Sequence, residues 1–190
     1  MSFIHLNVAS GYSLKYGTTQ PHDLVQRAAE FEMPALALTD RDGLAGAIRF
    51  TQSCVDYGIA PIIGVNCAID LGPTKFGLAK GRITLLAHSD GGWRSLCRLM
   101  TSLTMTSDTR IPVLTLDFLQ QFSQYSTNVY AMHGPESPIS DAIQNHRFDQ
   151  ALSIFNQTRD LFANNAIECV SQLVAGRGPR STEHAARSLI

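Results

Sequence analysis

The sequence predicts an α/β protein built on a (β/α) barrel, and three observations carry that prediction. Short apolar runs alternate with stretches of 3.6-residue periodicity, one unit every 25 to 45 residues or about that. The apolar runs end in polar clusters, at Asn7 to Ser10, Thr39 to Asp42, Asn66, His88 to Asp90 and His133, and barrels put their chemistry at strand carboxyl ends. No GxGxxG follows the first run and no GxxxxGK[ST] occurs anywhere, so the competing architecture, a nucleotide-binding open sheet, loses its main support.

Phe3 to Val8 reads as the first strand and Gly11 to Gln20 as turn chemistry. Pro21 suits a first helical position, and Leu24, Val25, Ala28, Ala29 and Phe31 give the stripe of a first helix. Pro34 to Thr39 is a continuous apolar run, expected of a strand buried on both faces. Gly43 to Tyr57 is a second helix, with Gly58 as its stop. Ala60 to Ile69 is a third strand, Leu71 to Gly81 a hairpin-like excursion and Arg82 to His88 a fourth strand. Trp93 to Met100 is helical, Thr101 to Arg110 is a Thr/Ser-rich loop, Leu116 to Phe122 is a short helix and Asn128 to Met132 is a fifth strand. Ile139 to Phe162 should be two helices broken near Asn145-His146, because Phe148 restarts the stripe. Ala166 to Val170 is a sixth strand, and Ser181, with Glu183, opens a last helix. Such alternation implies a parallel sheet with right-handed crossovers.

Composition narrows the function. The chain has 190 residues, enough to bury about 70% of its unfolded surface without a disulfide or metal staple. Fifteen Lys and Arg stand against sixteen Asp and Glu, and charged residues make up 16%, below the usual share of about 25%. A generally basic nucleic-acid coat is excluded, although a local patch is not. No apolar run approaches the roughly 18 residues of a membrane span, and Met1 to Phe3 lacks the start of a secretory signal. Cys54, Cys67, Cys97 and Cys169 lie far apart without CxxC, the pattern of reduced, buried thiols in a cytoplasmic protein.

Asp, Glu and His from different strand ends can converge on one cation, the arrangement of a metal hydrolase. The supply of ligands is thin. Only His5, His88 and His133 lie near strand ends, few carboxylates join them, and His22, His146 and His184 read as solvated residues on helices or helix starts. As caps and loop polar groups the same clusters have an equally simple account.

Four stretches, in order, are distinctive: Phe3 to Gly17 (FIHLNVASGYSLKYG), Ala35 to Gly46 (ALALTDRDGLAG), Gly58 to Ala68 (GIAPIIGVNCA) and Thr84 to Met100 (TLLAHSDGGWRSLCRLM). Together they resemble the amino-terminal domain of bacterial C-family DNA polymerases, the polymerase and histidinol phosphatase (PHP) domain of the polymerase III alpha subunit. Arg180 to Leu189 (RSTEHAARSL) is similar to the error-prone branch of these subunits. The resemblance implies one PHP domain over residues 1–190, a distorted seven-stranded (β/α) barrel of which six strands are present, and an unpaired edge open to self-association.

Active members of the family hold a cluster of metal ions, and the resemblance maps their ligand positions onto this chain. The His-x-His frame after the first strand falls on Asn7 and Ala9, and the next ligand falls near Tyr16. The histidine of Thr-Asp-His becomes Arg41, the glutamate after the third strand becomes Asn66, and the histidine opening the fourth strand becomes Arg82. A Cys or His after the fifth strand falls on Pro135, with His133 out of frame, and the closing Asp-x-His would lie beyond Ile190. An arginine has no lone pair to offer and carries full positive charge. The cleft is therefore expected to bind no metal, with a guanidinium paired to Asp40 or Asp42 in the vacated space. His5, Asp40, Arg41, Asp42 and Arg82 are the candidates for a residual anion or ion-pair cleft. The implied role is a non-catalytic domain of an error-prone polymerase, giving support and partner contact. DNA is reached through the parent enzyme, magnesium is needed only in a polymerase palm outside these residues, and no membrane is involved. The alternative is an active metal-dependent phosphoesterase or 3′–5′ proofreading exonuclease.

Overall fold

A computed structural model describes residues 3–74, 77–107, 111–123, 128–162 and 166–168, so Cys169 and the helix expected from Ser181 lie outside the described residues. The elements run α1 (Pro21–Glu30), β1 (Ala35–Arg41), α2 (Ala47–Tyr57), β2 (Ala60–Thr74), β3 (Gly77–Ala87), α3 (Ser89–Thr106), β4 (Val113–Thr115) and α4 (Leu116–Phe122). β5 (Val129–His133), α5 (Pro138–Gln144), α6 (Phe148–Leu161) and β6 (Ala166–Glu168) complete them.

Local chemistry explains most boundaries. Pro21 opens α1 with Asp23 in the first turn, and Gly58, at φ 69°, ends α2 in the left-handed conformation that glycine adopts without strain. Ser137 caps α5 by accepting from the Ser140 amide, and Pro138 takes the first helical position. α5 and α6 are separated at Asn145–Arg147, where the periodicity restarts.

The described strands form one mixed sheet in the order β1-β2-β3-β5-β6, with β4 alongside the distal part of β2. β1 and β2, β2 and β4, and β5 and β6 pair in parallel; β3 runs antiparallel to both β2 and β5. The expected all-parallel sheet is thus corrected. The Leu71 to Gly81 excursion is the outer half of one long β2–β3 hairpin, which needs no crossover. Phe3 to Val8 is not a regular strand: it lies along β1 through two backbone bonds, Ala37 N to His5 O at 3.0 Å and Thr39 N to Val8 O at 2.8 Å. Phe3, Ile4 and Leu6 stay exposed there, because nothing described covers their outer side. α3 continues to Thr106, past the expected loop at Thr101, because Leu103 is anchored in the core.

Two apolar cores lie side by side on the outer face of the curled sheet, beneath the helices. A smaller one joins Val25 and Ala28 of α1, Leu36 and Leu38 of β1, and Phe50 and Cys54 of α2. A larger one lies between β2, β3 and β5 and helices α3 to α6, around Val65, Ile83, Leu85, Leu99 and Ile154. Each such side chain contributes about 1.5–3 kcal/mol. β1 and β6 do not pair among the described residues, so the barrel is open. It is nonetheless curled. Arg41 at the end of β1 reaches Glu136, just after β5, at 2.6 Å, across three strand spacings that would span about 14 Å if the sheet were flat.

Candidate functional site

The curl gathers the ends of β1 and β5 with the middles of β2 and β3, and a pocket of about 240 Å³ opens there. Beside it, outside the lining, stands Asp40, which is 2% exposed. The carboxylate accepts from the Ser10 amide at 2.6 Å, the Ser13 hydroxyl at 2.7 Å and the Ser10 hydroxyl at 2.9 Å. Those bonds clamp the loop that follows Val8 onto β1. Gly17 lets the loop close on itself, since a Cβ there would fall 2.0 Å from the Ser10 carbonyl oxygen. Val8 N donates to the Thr39 hydroxyl at 2.9 Å, and that hydroxyl lies 3.1 Å from Asn7 Oδ1, which seats Asn7 at the rim.

Two arginines occupy the mouth. Arg41 stacks on the Tyr16 ring, with its Cζ 3.4 Å from the ring centroid, while it pairs with Glu136. Arg82 donates from Nε to Asn66 Oδ1 and from Nη2 to Asp42 Oδ1 at 2.9 Å and to the Asn66 carbonyl. Asn66 Nδ2 in turn donates to Thr84 Oγ1 at 2.8 Å. Asp42 sits in the left-handed region at φ 56° and also accepts from the Ala68 amide at 3.1 Å, so its carboxylate is fixed before it meets the guanidinium. The backbone of Arg82 bonds the Glu136 carbonyl at 2.8 Å, and Gly81 makes room, since a Cβ there would lie 2.5 Å from that oxygen.

All seven positions assigned from the resemblance line this pocket: Asn7, Ala9, Tyr16, Arg41, Asn66, Arg82 and Pro135. The other candidates are placed differently. Asp42 holds Arg82 from beside the pocket, whereas Asp40 is spent on Ser10 and Ser13 and meets neither arginine in an ion pair. Arg41 takes Glu136 as its partner, in place of Asp40 or Asp42, because the curl carries the turn after β5 within its reach. His5 is exposed, with its ring edge-on to Phe3 at 4.8 Å, and does not line the pocket. His22, His88 and His146 are exposed and stack on Tyr57, Tyr130 and Phe148. His133 is buried on the other face of β5. Glu136 was missed from sequence. The available signal was charge bookkeeping: two arginines in one cleft call for two acids, and Glu136 is the acid nearest the end of the fifth strand.

These residues do not fit a cluster of divalent cations. The lining offers one carboxylate, already committed to Arg41, neutral amide oxygens and two guanidinium groups that repel a cation by several kcal/mol at intermediate dielectric. Cys67, beside Asn66, is fully buried, and burial, then the Asp42 charge, push its thiol far up, partly offset by Arg82. A protonated thiol is not a ligand. Among the described residues no group of three or more His, Cys, Asp or Glu could hold a metal ion.

The Arg82–Asp42 pair is 14% and 19% exposed, so breaking it leaves a poorly solvated carboxylate. Arg82→Met is expected to cost about 2 kcal/mol, a value discounted for that residual exposure. Urea midpoints give the check. Arg82→Met/Asp42→Asn should recover most of the loss, and a double variant as weak as the single one would show that the two charges are uncoupled.

A curled α/β sheet with its polar side chains collected at one rim defines a distorted (β/α)-barrel domain of the kind that carries sites at strand ends. Residues 5–172 match the PHP domain family, and the chain belongs to that family. It is similar to the DNA polymerase III subunit alpha of Chlamydia pneumoniae, 37% identical over 131 residues, covering 65% of this chain and 10% of that protein. It is likewise similar to the error-prone DNA polymerase of Symbiobacterium thermophilum, 37% identical over 110 residues, covering 58% of this chain and 9% of that protein. The chain thus spans about a tenth of the length of these curated relatives. Among solved structures it resembles an amidohydrolase from Chromobacterium violaceum, with TM-score 0.42 and 24% identity over 54% of this chain and 33% of that one.

Proposed function

We propose that residues 1–190 serve as a non-catalytic PHP domain of a DNA polymerase III alpha-type enzyme of the error-prone branch, supporting the polymerising domains and contacting partners. The observation that carries this reading is the filled cleft: Arg82 bonded to Asn66 and Asp42, and Arg41 bridged between Tyr16 and Glu136. Guanidinium groups there can tie three strands and two loops together as a metal cluster would, but they activate no water and stabilise no leaving group. On this reading the domain needs no cofactor of its own, meets DNA only through the parent enzyme in the cytoplasm, and leaves magnesium chemistry to a palm outside these residues. No described helix is long and apolar enough to cross a membrane.

Equilibrium dialysis against zinc and manganese, paired with a nitrophenyl phosphodiester assay, tests the proposal. Far less than one bound equivalent and no cleavage are expected. One stoichiometric equivalent, with cleavage that a chelator abolishes, would establish the phosphoesterase reading instead.

A further inference from the structure

On the face of the sheet opposite the cleft, α2 and α3 stand apart and leave a groove of about 560 Å³. Its origin is topological. β1 connects to β2 through α2, but β2 turns directly into β3, so the crossover helix that a parallel connection would lay beside α2 does not exist. The floor is the outer side of β2 and β3 at Pro61, Ile63 and Ala87. One wall is a side of α2 that its core stripe does not use: Ile48, Thr51, Gln52 and Val55, spaced i, i+3, i+4 and i+7. That spacing is the ridge a neighbouring helix packs against. Ile48 and Val55 are 73% and 68% exposed, large values for aliphatic residues two turns apart on one helix face. Trp93 and Asp90 of α3 form the other wall, and Asp90 is the one charged side chain on it.

We propose that this groove receives an amphipathic helix of the polymerase body, with an aliphatic stripe seated between Ile48, Val55 and Trp93 and a Lys or Arg placed against Asp90. The identity of the occupant as part of the polymerase rests on the function proposed above. Size favours a tethered occupant over a separate protein. The α2 ridge spans about 10 Å, some two helical turns, whereas a stable free-standing interface buries more than about 1,000 Å². A helix in the same polypeptide needs far less area, because tethering supplies an effective concentration in the millimolar range. On the proposed function, a parent enzyme as long as those relatives, of which this chain matches about a tenth, would provide one.

Trp93 is the only tryptophan in the sequence, so its emission reports occupancy of the groove directly. The probe is a 14-residue helical peptide with Leu at i, i+3, i+4 and i+7 and a terminal Lys, titrated to millimolar concentration into the 190-residue chain. A saturable shift of the Trp93 emission is expected. Ile48→Glu or Val55→Glu should weaken it by about tenfold or more, and Asp90→Asn or a Glu-ended peptide by about two- to fivefold. Because both aliphatic residues are exposed, their variants should melt with the parent chain, which separates lost binding from lost folding. No saturable shift, or a shift indifferent to Ile48→Glu, would overturn the proposal. So would a concentration-dependent Trp93 shift without peptide that Ile48→Glu removes, since that outcome assigns the groove to a second copy of the chain. The metal-binding result is read in a different assay, so either idea can fail alone.

Discussion

Asp40→Ala is expected to lower the melting temperature of the domain by about 10 °C, the largest loss from any single change around the cleft. The carboxylate is 2% exposed and accepts from one amide and two hydroxyls, all in the Ser10–Ser13 turn. Removing it strands these donors where water cannot replace it, and bonds to a charged acceptor are worth about 1.5–3 kcal/mol each before non-additivity. A total of about 4 kcal/mol follows, and a domain of this size loses roughly 2–4 °C per kcal/mol. Asp40→Asn keeps one acceptor oxygen and should cost less than half as much. The loop it anchors carries Tyr16, so the Arg41–Tyr16 stack should loosen as well. Calorimetry on the three proteins decides the matter: an alanine variant melting within about 2 °C of the parent would mean that the loop is held by something other than Asp40.

Asp40 also shows how far the sequence can be read. Thr39-Asp40-Arg41 announces a polar cluster at a strand end, yet periodicity cannot say whether an acid there faces the cleft or the turn below it. The structure gives that answer through Ser10 and Ser13, about thirty positions away. Helices with strong local signals were legible, α1 from Pro21, α2 to Gly58, and the break between α5 and α6, because caps and stripes lie within one segment. Strand direction was not. Alternating apolar runs look alike in parallel and antiparallel pairs, so the reversal of β3 and the pairing of short β4 with β2 depended on partners the local pattern does not name. Phe3 to Val8 has the composition of a strand but is not a regular one, since composition records preference and pairing requires a neighbour. At the cleft, the resemblance assigned seven positions that line one pocket. It was silent on Glu136, which earns its place only when the sheet curls.

Acid should destabilise the domain through His133 in a window that mutation can isolate. His133 closes β5 on the side shared with Val129 and Ala131, toward the core covered by α5 and α6, and it is 1% exposed. Neither ring nitrogen has a hydrogen-bond partner among the described residues, and burial penalises the charged imidazolium and lowers its pKa from 6.5 to about 4. The unfolded chain therefore takes up a proton at a pH where the folded chain refuses it. Stability is full above about pH 6.5, falls as the pH drops toward 4, and is then lower by about 3 kcal/mol on this account. Carboxylates titrate in part of the same range, so the comparison needed is with His133→Leu. That variant buries no orphaned nitrogens and should be about as stable as the parent at pH 7. Urea midpoints between pH 4 and 7 should fall more steeply for the parent, with the gap between the two proteins widening by about 3 kcal/mol at the acid end. Parallel curves would show that His133 finds a proton acceptor or solvent in the folded state and leave the acid response to the carboxylates.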